Sequence, residues 1–267
     1  MTVWALLLEY HGGPFVGWQR QATGLSVQAV LETAAARLSR QTPTPTVVAG
    51  RTDAGVHAEA QVVQLTLETA FDPARLREAL NFYMKPHPVV VLRAAVAPDG
   101  WSARFSAIGR SYCYRILNRR ARPALLLGRV WHIPRPLDAA AMHRAGQLLI
   151  GRHDFTSFRA ASCQARSPVR TLDQLDVALD GELITVTVRA RSFLHHQVRN
   201  IVGTLRMVGD GTWPERRVGA ALAARDRAAA GPTAPAAGLT LLAVTYPRDL
   251  FEAPAGDDAP SPSELRH

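Results

Sequence analysis

Lysine is almost missing from this chain of 267 residues: Lys85 is the single lysine among 31 basic residues, and arginine supplies the rest. Cysteine is nearly as scarce. Cys113 and Cys163 make neither a disulfide framework nor, by their spacing, a zinc site, so a reducing, cytoplasmic setting is the default expectation. The stretch Met1 to Tyr10 has no basic lead, and its apolar run is too short for a signal peptide or a membrane span. No glycine-rich phosphate cradle precedes a helix, so no nucleotide cofactor is expected. What is present is an ordinary globular composition, 47% hydrophobic and 20% charged. The net charge of +9 favours a polyanionic partner. Arginine's planar fork suits phosphates and base edges, although an arginine-biased genome produces the same count.

Hydrophobic patterning predicts strand, helix, strand, strand, helix, strand over the first 96 residues. Val3 to Tyr10 reads as a strand. Ser26 caps a helix with Val27, Val30, Leu31, Ala34 and Leu38 on one face. Strands follow at 46–49 and 61–67. Asp72-Pro73 opens a helix with the stripe Leu76, Ala79, Leu80 and Tyr83, and Val89 to Val96 closes the half. The second half repeats the order. Ser111 to Asn118 alternates, with Tyr112, Tyr114 and Ile116 on one face; Asp138 caps a helix carrying Met142, Ala145, Leu148 and Leu149, stopped by Gly151. Val169 to Leu179 and Leu183 to Arg191 form a hairpin turned at Asp180-Gly181. A helix runs from about His195 to Val208, a shorter one follows Pro214, and Leu239 to Tyr246 is the last strand. The expected class is α+β: two ferredoxin-like, RRM-like βαββαβ halves with mostly antiparallel sheets and a cleft between them. The halves fall at 1–105 and 106–248. Residues 249–267, proline, alanine and acid rich from about Ala253, read as a disordered tail.

The stretch Gly50-Arg51-Thr52-Asp53-Ala54-Gly55-Val56-His57 stands between two of these strands. It presents an arginine, an aspartate and a histidine on an irregular segment, the kind of place where binding and chemistry sit on a rigid scaffold. An Asx-type turn with solvated neighbours is the plainer reading. The wording of the stretch resembles the active-site signature of the TruA family of tRNA pseudouridine synthases. The resemblance extends to Gly17-Trp18-Gln19-Arg20-Gln21, Ala103-Arg104-Phe105-Ser106-Ala107, Asp154-Phe155-Thr156-Ser157-Phe158-Arg159 and His195-His196-Gln197-Val198-Arg199-Asn200-Ile201-Val202-Gly203. It covers nearly everything from Val3 to Tyr246.

That likeness implies conversion of uridine to pseudouridine in the anticodon stem-loop of tRNA, at tRNA positions 38, 39 and 40, by a homodimer without metal or redox cofactor. Asp53 is the expected nucleophile, or the base that forms a glycal intermediate. A carboxylate attacks carbon only while ionised and partly freed of water, so a fixed cation is needed close by. Arg199, on the late helix with Val198, Ile201, Val202 and Leu205, is implied as that cation; otherwise it is a surface or snorkelling side chain. The likeness gives Arg51 the task of holding the target nucleotide out of the RNA stack, where a plain phosphate contact is the alternative. It sets Tyr112 against the target base and Leu239 on the base's other face, where each is otherwise a sheet or core residue. His11 stands where the family usually has an aspartate.

Other chemistries fit less well. Adjacent histidines such as His195 and His196 diverge on a helix and have no acid or thiol at ligand spacing, so a metal site is not expected. His57 has no serine or cysteine partner of the hydrolase kind. A nucleoside glycosidase needs a second carboxylate, for which Asp154 is the distant candidate. A non-catalytic RRM-like tRNA-binding protein explains charge and topology but not why Arg51, Asp53, Tyr112 and Arg199 occur together.

Overall fold

The computed structural model describes residues 1–39 and 45–251. The tail motifs from Ala253 onward lie outside the described residues. The first half contains β1 (Thr2–Tyr10), α1 (Val27–Ala36), β2 (Val47–Val48), β3 (His57–Leu67), α2 (Pro73–Met84) and β4 (Val89–Val96). The second contains β5 (Gly109–Leu117), β6 (Trp131–His132), α3 (Ala139–Gln147), β7 (Gly151–Asp154), β8 (Val169–Asp180), β9 (Leu183–Ala190), α4 (Gln197–Gly209), α5 (Arg216–Ala224) and β10 (Leu239–Thr245).

All three helix caps read from the sequence form. Ser26 Oγ accepts from the Ala29 amide, one Asp72 oxygen accepts from Ala74 and Arg75, and one Asp138 oxygen accepts from Ala141. Each satisfies amides that the first helical turn leaves without partners. Two expected stripe residues do not bury. Tyr83 is exposed because α2 turns Leu76, Leu80 and Met84 inward, and Leu148, at the C-terminal cap of α3, is exposed too. The short strands β6 and β7 were not expected; neither is long enough to show a period.

The strands form one sheet rather than two facing a cleft. Its order is β4-β1-β3-β10-β5-β9-β8-β7, with β2 on β3 and β6 on β5. The last strand makes the junction. β10 runs parallel to β3, pairing Thr240 with His57 and Leu241 with Ala58, and antiparallel to β5, pairing Leu239 with Tyr114 and Leu241 with Tyr112. The halves are therefore closed on each other by backbone hydrogen bonds. The five helices of the described residues and one face of the sheet contribute to one large apolar core, from Trp4, Leu6 and Leu8 to Leu175, Ile201 and Leu241, with a small separate cluster at Ala49, Val62 and Ala103. Burying each large side chain contributes about 1.5–3 kcal/mol. No helix among the described residues is long and apolar enough to cross a membrane.

Candidate active site

The segment carrying Asp53 leaves the short strand β2 and enters β3, and it is held from several sides. Gln61 donates to the Gly50 carbonyl at 2.7 Å, and the Tyr10 hydroxyl lies 2.8 Å from the Thr52 hydroxyl. The Trp18 amide donates to the Thr52 carbonyl at 3.0 Å. Gly17 adopts φ +107° beneath this contact, and a Cβ there would stand 2.7 Å from the same carbonyl. The motif around Gly17 and Trp18 is thus a brace for the loop. Burial pushes the Tyr10 phenol up to about 12, against the lowering by its Thr52 and Gln61 hydrogen bonds, so it stays a neutral partner.

A second brace comes from Arg110, which is buried and, among the described residues, has no carboxylate partner. Its guanidinium donates to the carbonyls of Ala49 and Arg191 at 2.6 Å each, of Arg104 at 3.0 Å and of Ala107 at 3.3 Å. Burial lowers its pKa. The residue ties the root of the Asp53 loop to the crossover between the halves and to the end of β9. Nothing in periodicity singles it out, because the four carbonyls come from three stretches of chain, around Ala49, at Arg104 to Ala107 and at Arg191.

Asp53 itself is half-buried. Arg199 Nη1 lies 3.3 Å from Oδ2, across 146 positions of sequence. The Arg199 Nε donates instead to the Ala234 carbonyl at 2.8 Å, so the guanidinium fork is divided between backbone and carboxylate. Tyr112 is buried on β5, edge-on to Phe193 at 5.3 Å. A side chain on Gly50 would begin 3.9 Å from the Tyr112 hydroxyl, which places that hydroxyl beside the Asp53 loop. Burial first, then the neighbouring Tyr10 and Asp53 groups, drive the Tyr112 pKa well up, and it remains a neutral phenol. Leu239 is buried at the start of β10, opposite Tyr114 and two residues from the partner of Tyr112. Arg51 is exposed and, among the described residues, holds no hydrogen bond or ion pair.

The histidine pair departs from expectation. α4 begins at Gln197, so His195 and His196 precede the helix, and His196 adopts φ 63° in the left-handed region. The helical divergence of neighbouring side chains does not apply there. His195 Nε2 lies 3.3 Å from Asp53 Oδ1 and His196 Nε2 3.4 Å from Oδ2, with ring centroids 4.1 Å apart. Burial lowers the His196 pKa, partly countered by the Asp53 charge, and keeps that ring neutral. The three ligand atoms lie within 4.8 Å of one another, a spacing a cation could bridge. The guanidinium already on Oδ2 opposes one electrostatically, leaving the cluster with no excess negative charge to hold a metal.

Other expected residues sit elsewhere. His57 is stapled to the Gly12 amide and to the Gly128 and Ala237 carbonyls, and His11 packs on it at 4.6 Å. Asp154 accepts from the Thr156 amide and hydroxyl at 2.9 and 2.6 Å, so the late acidic candidate is a turn cap. The stretch that follows it is tied to the start of α4: Ala160 N donates to the His195 carbonyl and Asn200 Nδ2 to the Phe158 carbonyl.

Comparison with known proteins gives consistent matches. A family model described as tRNA pseudouridine synthase matches residues 145–247. The tRNA pseudouridine synthase A of Acidiphilium cryptum (strain JF-5) is 65% identical over 252 residues, 94% of this chain and 99% of that protein. The protein of the same name from Rhodospirillum centenum (strain ATCC 51521 / SW) is 59% identical over 247 residues, 92% of this chain and 100% of the other. That of Gluconobacter oxydans (strain 621H) is 53% identical, covering 93% and 91%.

Proposed function

This chain belongs to the tRNA pseudouridine synthase A family, isomerases that act on tRNA, and we propose that it works through Asp53 on uridines 38 to 40 of the anticodon stem-loop. The observation that carries this reading is the Asp53 carboxylate, half-buried, with the Arg199 cation 3.3 Å from Oδ2. A fixed cation beside the carboxylate suits either a nucleophile toward the ribose or a base. Tyr112 offers a neutral aromatic face and a hydroxyl beside the same loop, and Leu239 an apolar side chain on the same face of the sheet. Arg51, exposed and unengaged among the described residues, is free to enter RNA and offset part of the cost of extracting the base. The reaction breaks the N1–C1′ bond and forms a C5–C1′ bond within one nucleotide, C5 releasing its proton to solvent and N1 taking one up, so the change is redox-neutral and needs neither metal nor redox cofactor. A homodimer working in the cytoplasm, and two ferredoxin-like halves fused through β10, complete the proposal.

Asp53→Ala decides it. The variant is expected to bind tRNA as the wild type does and to release no tritium from tRNA labelled at C5 of uridine. Turnover near the wild-type rate removes Asp53 from the mechanism. A purely RNA-binding protein releases no tritium in either form.

A further inference from the structure

The contacts of Arg199 leave Asp53 incompletely held. A carboxylate is best fixed when both oxygens receive donors, as in a bidentate arginine pair. Here the Arg199 Nε is committed to the Ala234 carbonyl, so only Nη1 reaches the carboxylate, and it reaches Oδ2. His196 Nε2 also approaches Oδ2. Among the described residues, His195 is the one whose side-chain nitrogen approaches Oδ1, at 3.3 Å and without hydrogen-bond alignment in this structure. On its other side, His195 Nδ1 lies 3.3 Å from the exposed Ser162 hydroxyl. The His195 backbone is pinned as well, because its carbonyl accepts from Ala160 N at 2.9 Å.

We propose that Ser162, His195 and Asp53 form an orienting line in which His195 is a positioning residue, holding Oδ1 so that the carboxylate keeps one rotamer toward the bound uridine. An ionised carboxylate can only accept, so His195 presents its N–H at Nε2 and its Nδ1 accepts from the Ser162 hydroxyl. The residue types are those of the hydrolytic triad with the order of work reversed. The acid reacts, the imidazole aims it, and the hydroxyl sets the imidazole's tautomer. The left-handed conformation at His196 belongs to the same device. A non-glycine residue rarely adopts it, and such local strain persists where the surroundings over-determine it. Here it lets consecutive rings reach the two oxygens of one carboxylate, which two successive helical positions could not do. Contacts that are long before substrate arrives tighten when the site closes around it.

This inference rests on Asp53 being the reacting carboxylate, so Asp53→Ala runs beside the test. Single-turnover rates and tRNA affinity are measured for His195→Leu, His195→Gln and Ser162→Ala. His195→Leu should lower the rate at saturating tRNA by about 10- to 100-fold, the usual cost of losing such a supporting partner, with affinity unchanged. His195→Gln restores a neutral N–H donor and should recover most of that loss. Ser162→Ala, on an exposed loop, should lose a few-fold in rate alone. A wild-type rate in His195→Leu, or a loss confined to affinity, overturns the proposal. So does a glutamine variant as slow as the leucine one, since that outcome requires a titrating proton rather than an aimed donor. If His195→Leu fails to fold, a wild-type rate in Ser162→Ala overturns it equally. An active Asp53→Ala variant would instead strike the Proposed function itself.

Discussion

His57 lies in the signature stretch yet serves the fold. Its Nδ1 accepts from Gly12 N at 2.9 Å, which fixes the proton on Nε2, 3.0 Å from the Gly128 carbonyl and 3.2 Å from that of Ala237. Burial, and then the nearby His11, lower its pKa; burial lowers those of His11 and His196 also. Below the ordinary histidine range the unfolded chain takes up protons that these native rings refuse. Their contribution to stability is therefore complete above about pH 6.5 and is lost as pH falls through that value toward the native pKa. The urea midpoint should drop between pH 7.5 and 5.5. Glutamine can both accept and donate as His57 does, so His57→Gln should show a shallower drop. A flat wild-type profile, or equal slopes, would contradict this account.

The helix α4 shows how one element serves two ends. Its first turn supplies Arg199, and its buried side receives the segment from Arg227 to Gly238. Arg227 donates to the Gly231 carbonyl, Asn200 Oδ1 and the Thr233 hydroxyl, and Thr233 donates to Asn200 Oδ1. Gly231 N bonds the Thr204 hydroxyl, and Ala234 N bonds the Arg199 carbonyl. This approach is close enough that a Cβ on Gly203 would stand 1.7 Å from the Pro232 carbonyl oxygen. Gly203→Ala should therefore cost about 1–3 kcal/mol in urea unfolding, the usual range for overpacking. It should also reduce turnover, because lifting the segment releases the Ala234 carbonyl from Arg199. Full stability and full turnover together would show that the segment yields without consequence. The helix and its apolar face are visible in the 3.6-residue period, whereas its start is not. The left-handed residue just before the helix is His196, and although histidine adopts that conformation more often than most side chains, it does so too seldom to mark a helix start in sequence.

Across the whole molecule, β10 decides how the halves behave. It is the last strand in sequence and the central link in space, placed between β3 and β5. One core runs beneath both halves. A division at 105/106 marks a boundary in chain order, and the structure predicts that it is no boundary in stability. Thermal unfolding should be a single transition with equal calorimetric and van't Hoff enthalpies. Residues 1–105 made alone would leave β3 without β10 and should fail to give a cooperative transition. Two resolved transitions would show that the junction is weaker than its pairing suggests.

Local information was enough for the capped starts of α1, α2 and α3, for the hairpin at Asp180-Gly181 and for the family signature around Asp53, since each is written in residues a few positions apart. The pairing of Asp53 with Arg199 was legible only through that family signature. The Arg110 cradle, the His195 contact with Oδ1 and the single sheet were legible nowhere in the chain's order. Each depends on groups brought together from distant stretches, and on where the backbone turns, which side-chain pattern leaves undetermined until the core has closed.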